Sequence, residues 1–286
     1  MKILVTGVKG QLGYDLCRVL ADRKIDHLGV DIDDFDITDR KASVKFITGY
    51  RPDAIIHCSA FTAVDKAEDE VDLCTRVNAE GPANIAAAAS AINAKMMYIS
   101  TDYVFPGTGD VAYRPEDPTG PLSVYGKTKL LGEEAVRKAS DRHFIVRISW
   151  VFGKNGNNFV KTMLRLAETK TDLNVVCDQI GSPTYTYDLS LLLCDMIVTD
   201  RFGTYHATNE GLCSWAEFAE EIMRLGKKST KIHPIPSSQY PTRAVRPLNS
   251  RMDKEKLTQN GFCRLPDWKD ALARYIKELD DNKSEG

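Results

Sequence analysis

The chain has 286 residues, 43 % hydrophobic and 27 % charged, enough for a real core and either one large α/β domain plus a smaller appendage or two modest domains. Its net charge of -2 gives no general attraction to nucleic acid or an anionic membrane, so neither is expected as a partner. The seven cysteines include no Cys-x-x-Cys pair, which fits reduced thiols and argues against a disulfide framework or a zinc site. No secretory leader pattern follows Met1-Lys2, and the longest apolar stretch, 85–94, falls short of the roughly 20 residues of a membrane span. A cytoplasmic location is expected.

In chain order, 3–5 reads as a buried strand, followed by a helix on which Leu12, Leu16, Val19 and Leu20 recur at helical spacing. A strand over 27–31 and a helix over 39–49, capped by Asp39, come next, then a strand over 54–58. The Ala-rich stretch 69–92 predicts one long helix, with a strand over 96–100, a helix over 123–139 and a strand over 144–148 behind it. After Trp150 the rhythm changes to a helix over 158–169, a strand over 174–177, a helix over 187–198 and a short strand over 204–207. Ser214 and Glu217 form a capping box for a further helix. Residues 232–251 are expected to be irregular, 268–279 helical, and 280–286 frayed. The alternation predicts an α/β fold: a Rossmann-type doubly wound parallel sheet with a smaller C-terminal substrate-binding domain. The expected division is 1–152 for the dinucleotide-binding domain and 153–286 mainly for the substrate domain, with segments near 173–200 and 230–251 returning to the first.

Gly7, Gly10 and Gly13 lie between the first strand and the first helix, with Gln11 and Leu12 opening that helix. Glycines there permit a tight turn and close approach of backbone amides to a diphosphate, which the helix N-terminus also attracts. Asp31 ends the second strand, where a carboxylate binds the adenosine ribose hydroxyls and repels a 2′-phosphate. Lys9 in the loop pulls the other way, so NADH and NADPH both remain open. Asp36 and Ile37 are candidates to meet the adenine, and Asp33 and Asp34 read as a solvated turn.

Tyr125 and Lys129 are one helical turn apart and project from one face. A bare Tyr-x-x-x-Lys pair arises about once by chance in such a chain, so its position carries the weight. It follows the glycine loop and its β-α-β series, and Thr101 ends a strand where ligands bind in such sheets.

These features resemble the extended short-chain dehydrogenase/reductase superfamily. The segments Thr62 to Glu68, Ser100 to Phe105, Gly156 to Phe159, Asp178 to Thr184 and Arg246 to Arg251 are similar to the dTDP-4-dehydrorhamnose reductase family over nearly the whole chain. The resemblance implies reduction of a C4 ketone on a nucleotide-linked deoxy sugar with NADH or NADPH. It makes Tyr125 the general acid, Lys129 the group that lowers its pKa and holds the nicotinamide ribose, and Thr101 a donor to the same oxygen. Ser59, Ala60, Thr62 and Ser100 would complete the cofactor site. Val64, Asp65, Asp102, Tyr103 and Trp150 would line the sugar pocket, with Arg246 and Arg251 clamping the diphosphate. His57 and Ser59 stand where the family usually has Asn and Ala. Related 4,6-dehydratases carry Thr-Asp-Glu, and Tyr103 in place of that Glu removes the dehydratase base. A non-catalytic binding homologue, such as a methionine adenosyltransferase regulatory subunit, and another sugar-nucleotide reductase or epimerase are the alternatives. Some relatives are dimers with Mg²⁺ at carboxylates between subunits. Asp15 and Asp188 could play that part here but are expected to be solvated helix residues, and a monomer or a homodimer is expected.

Overall fold

A computed structural model of the chain describes residues 1–284. Its first half builds a parallel sheet and the helices around it. In order these are β1 (Ile3–Thr6), α1 (Gln11–Asp22), β2 (His27–Val30), α2 (Arg40–Tyr50) and β3 (Ala54–His57), then the short helices α3 (Val64–Ala67) and α4 (Val71–Thr75). A π-helical turn, Arg76–Glu80, leads into α5 (Gly81–Ala91), followed by β4 (Lys95–Thr101), α6 (Val124–Ala139) and β5 (His143–Ile148). The second half comprises β6 (Val151–Phe152), α7 (Phe159–Leu166), β7 (Asp172–Val176), β8 (Ile180–Gly181), β9 (Thr184–Tyr185), α8 (Thr186–Ile197) and β10 (Gly203–His206). β11 (Cys213–Ser214), α9 (Trp215–Leu225), β12 (Lys231–Ile235), β13 (Asn249–Ser250), α10 (Glu255–Gln259) and α11 (Trp268–Ser284) complete it.

The main sheet has six strands in the order β10-β5-β4-β3-β1-β2, and every pairing is parallel. Strands buried on both faces need apolar residues at every position, which Ile3, Leu4 and Val5 supply. Ile3 and Val5 face the layer of Leu12, Leu16, Leu189 and Leu193 from α1 and α8. Leu4 faces the opposite layer of Ile47, Ile85 and Val136 from α2, α5 and α6. Each such side chain stabilises the fold by about 1.5–3 kcal/mol when fully buried. A third cluster, with Phe152, Val160, Phe218, Trp268 and Leu272, lies under α7, α9 and α11.

Chain order reverses between β1 and β3. β2 lies on one side of β1 and everything later on the other, so the carboxyl ends of β1 and β3 form the switch-point crevice of a doubly wound sheet.

Two expectations are corrected and one is refined. The stretch 69–92 is helical without a break from Val71 to Ala91, but it carries a π-helical turn at Arg76–Glu80, where Asn78 bonds the backbone of Phe61 at 2.8 and 3.0 Å. The segment 232–251 is not wholly irregular: β12 pairs with β7 and β13 pairs with β8. The tail expected to fray continues α11 to Ser284, and residues 285–286 lie outside the described residues. The caps are as expected, with Asp39 accepting from the amides of Lys41 and Ala42, and Ser214 and Glu217 closing a reciprocal box. No helix among the described residues is long and apolar enough to cross a membrane.

Candidate active site

A cavity of about 620 Å³ opens at the switch point and runs from the glycine loop to β13. Gly7, Gly10, Gln11, Leu12, Gly13, Asp31, Asp36 and Ile37 line one end. Ser59, Ala60, Thr62, Val64 and Ser100 line its middle, and Thr101, Asp102, Tyr103, Tyr125, Lys129 and Trp150 the other end.

At the first end backbone comes close to backbone. Gly7 has φ +76, and a Cβ on it would fall 2.6 Å from the Ser59 amide nitrogen. A Cβ on Gly13 would fall 2.3 Å from the Gly7 carbonyl oxygen. Gly10 caps α1 without a side chain, so no side-chain acceptor occupies the first amides of that helix. These features fit a dinucleotide diphosphate. The Asp31 carboxylate is fixed by the amides of Lys9 at 2.8 Å and Ile32 at 2.9 Å, ready to accept from ribose hydroxyls. The Lys9 ammonium pairs with Asp33, and Asp33 and Asp34 lie exposed on the turn after β2, as expected.

At the other end, β4 delivers Thr101 and the first two turns of α6 deliver Tyr125 and Lys129. Ser123 caps that helix by accepting from the Gly126 amide at 3.1 Å. The buried Arg147 clasps Glu133 through two bonds of 2.8 Å, locking α6 to β5. The Tyr125 phenol meets the Thr101 hydroxyl and stands edge-on to Tyr103, with ring centroids 5.4 Å apart. Lys129 donates to the Ile99 carbonyl at 2.6 Å and lies 4.1 Å from the centroid of the Tyr98 ring.

The electrostatics differ from the sequence expectation. Burial pushes the Tyr125 phenol well above its ordinary value. Burial also pulls the Lys129 ammonium down to about 7, against the pull of Glu133 on the next turn. Desolvation of both groups therefore outweighs any lowering of the phenol by the ammonium. A phenol is protonated at neutral pH even at its ordinary value, and the rise keeps it so while making it a weaker acid.

Asp65, Arg246 and Arg251 are not among the residues that line the cavity. Arg246 donates to Asp65 at 2.6 Å and, at 3.3 Å, to the hydroxyl of Tyr103, which does line the cavity. Arg251 turns to the Asn249 side chain at 3.0 Å. His57 is fully buried, with Nδ1 2.7 Å from the Thr6 hydroxyl, and does not line the cavity. Asp15 and Asp188 are not solvated. Both are buried in ion pairs, Asp15 with Arg18 and Asp188 with Arg274, each at 2.7 Å. Among the described residues no group of three or more His, Cys, Asp or Glu is arranged to hold a metal ion.

Sequence reasoning missed Gln179, Trp215, Pro247 and Ser250 as cavity residues. Trp215 stacks on Trp150 with centroids 3.9 Å apart, and Trp150 holds the unusual φ of +50 at that wall. The Ser214 cap fixes the start of α9, and thereby Trp215, but nothing local in the sequence aims its indole at the cavity.

Fold and site together define an NAD(P)-dependent oxidoreductase on a Rossmann-type scaffold. A family model described as RmlD substrate binding domain matches residues 1–281. The dTDP-4-dehydrorhamnose reductase of Escherichia coli strain K12 is 39 % identical over 299 residues, covering 98 % of each chain. The spore coat polysaccharide biosynthesis protein SpsK of Bacillus subtilis strain 168 is 40 % identical over 277 residues, covering 97 % of each. A solved dTDP-4-dehydrorhamnose reductase from Bacillus anthracis strain Ames, in complex with NADP, superposes with a TM-score of 0.94 at 41 % identity, covering 97 % of this chain and 100 % of that one. The chain belongs to the RmlD substrate binding domain family, alongside the dTDP-4-dehydrorhamnose reductases.

Proposed function

We propose that the protein reduces the C4 ketone of dTDP-4-dehydro-β-L-rhamnose to give dTDP-β-L-rhamnose, as a cytoplasmic enzyme. The observation that carries this is one cavity with a diphosphate-fitting glycine loop at one end and Thr101, Tyr125 and Lys129 at the other. When bound, the reduced nicotinamide supplies the hydride. Tyr125, whose phenol is protonated at neutral pH, gives its proton to the C4 oxygen as charge develops there. Lys129, held by the Ile99 carbonyl, binds the nicotinamide ribose. Val64 and the Trp150–Trp215 stack wall the sugar and exclude water, while Tyr103 and Asp65 hold Arg246 for the diphosphate. The cofactor domain is then residues 1–152 with α8 and β10 added, and most of the remainder forms the substrate domain. Arg251, turned to Asn249, is a weaker candidate for the clamp.

For the cofactor the geometry favours NADH. Asp31 is fixed by the Lys9 and Ile32 amides beside the glycine loop, and the exposed Lys9 ammonium pairs with Asp33, with Asp31 and Asp34 also acting on it. A 2′-phosphate would meet carboxylates there. Among the described residues no side-chain cluster supports Mg²⁺. The test is incubation of purified protein with the nucleotide keto sugar and NADH or NADPH, with product identified by nuclear magnetic resonance. Formation of the 4-hydroxy sugar, one per cofactor oxidised, is expected; an intact keto sugar with folded protein would overturn the proposal.

A further inference from the structure

Asp102 follows Thr101 at the end of β4 and is buried, yet it lines the cavity. Its carboxylate accepts from the Ser250 hydroxyl at 2.5 Å and from the Thr101 hydroxyl at 2.9 Å. An ionised carboxylate can only accept, so Thr101 commits its one proton to Asp102 and can only accept from Tyr125. In that state Thr101 cannot donate to a ketone or to a phenolate. With the carboxyl protonated the chain reverses, and Asp102 donates to Thr101, which then donates to Tyr125.

We propose that Asp102 is the proton reservoir of the site, re-arming Tyr125 through Thr101 after each turnover. The proposal rests on the reductase function above. Once Tyr125 has protonated the C4 oxygen, its phenolate takes the Thr101 hydroxyl proton while Thr101 takes the Asp102 carboxyl proton. O–H bonds form at Tyr125 and Thr101, and O–H bonds break at Thr101 and Asp102. The carboxylate left behind is stabilised by Ser250 and regains a proton from solvent at the cavity face. One proton thus enters for each hydride consumed.

The groups facing Asp102 are Thr101 on β4, Tyr125 on α6, Ser250 on β13 and Tyr103 on its own turn, with Arg246 and Asp65 behind Tyr103. Burial lifts the Asp102 carboxyl to about 6, against the lowering pull of Ser250, Thr101 and the local amides. Ser250 lies 148 residues away in sequence, on the strand that follows the Arg246 segment. This ties the substrate-side segment to the proton chain.

The experiment is the pH profile of kcat, with wild type, Asp102→Asn and Ser250→Ala measured in one assay. Asp102 acts through Thr101, so the readout is a pH limb that a merely structural residue would not create. Wild type is expected to lose kcat as pH rises through the Asp102 ionisation. In Asp102→Asn the limb should vanish and kcat should fall on the order of 10-fold or more, with the Kd for NADH unchanged. Ser250→Ala removes a bond that favours the carboxylate, so its limb should move to higher pH. An active wild type whose limb survives Asp102→Asn, or stays in place in Ser250→Ala, overturns the relay alone. If Asp102→Asn fails to fold, the Ser250→Ala shift decides. A wild type without turnover would overturn the reductase function beneath it.

Discussion

Replacing Gly7 by Ala tests whether the first β-α turn is a packed joint or a loose loop. Gly7 has φ +76, and its added Cβ would lie 2.6 Å from the Ser59 nitrogen, 2.8 Å from the Ser59 Cα and 2.9 Å from the Cys58 carbonyl carbon. All three are backbone atoms at the end of β3, so no rotamer change relieves them. The left-handed conformation costs about 1–2 kcal/mol for a residue with a Cβ. The overpacking adds about 1–3 kcal/mol. A loss of roughly 2–5 kcal/mol is therefore expected, a large share of a typical stability of about 5–15 kcal/mol. Because Ser59 and Ala60 line the cavity, the same shift should weaken NADH binding. Gly49→Ala is the control: Gly49 lies in α2, and nothing stands within 4 Å of its added Cβ. There the substitution should stabilise by about 0.5–1 kcal/mol. Urea titration followed by circular dichroism and fluorescence titration with NADH measure both effects. A Gly7→Ala protein with wild-type midpoint and wild-type NADH affinity would refute the packing argument.

Tyr125→Phe removes the proposed proton donor and should cut kcat by about 10²–10⁴-fold while NADH still binds; a wild-type kcat would rule out its role. Asp33→Asn frees the Lys9 ammonium and should shift the ratio of Kd values toward NADPH, and an unchanged ratio would show that the pair does not set preference. Burial pulls His57 and His206 down to about 3, so each is neutral when folded, whereas the unfolded chain takes up a proton near 6.5. Their stabilising contribution is complete above about pH 6.5 and is lost as pH falls toward 3, by at most about 1.4 kcal/mol per pH unit for each. Asp102, raised to about 6, acts in the opposite sense, so the comparison is His57→Asn against wild type. The variant should lose less stability between about pH 7 and pH 5; equal slopes in urea titrations would contradict the assignment.

Much of this site was legible because its chemistry is local or fixed by topology. The glycine spacing, Asp31 and the strand-end position of Thr101 depend on short segments, and a doubly wound sheet then brings Tyr125 and Lys129 to the same crevice. The rest depends on residues far apart in the chain. The Ala-rich pattern of 69–92 gives no sign of the π-helical turn, which Asn78 makes by bonding Phe61. Pro234 and the polar neighbours of β12 conceal a strand whose partner, β7, lies some sixty residues earlier (Lys231 pairs with Asp172). Arg18 and Arg274 decide that Asp15 and Asp188 are buried ion pairs. Trp215 and Ser250 reach the cavity only once the C-terminal segments have folded back. The direction of the Tyr125 shift was illegible for the same reason, since depth of burial sets it.

The central claim is that this cavity delivers hydride to C4 of the deoxy sugar. Transfer from NADH deuterated at the reactive ring carbon tests it most directly, read by mass spectrometry and nuclear magnetic resonance of the product. One deuterium at C4 of dTDP-rhamnose, formed by wild type and sharply diminished in Tyr125→Phe, is the predicted result. A product without deuterium at C4, or no product from folded enzyme with bound NADH, would contradict it.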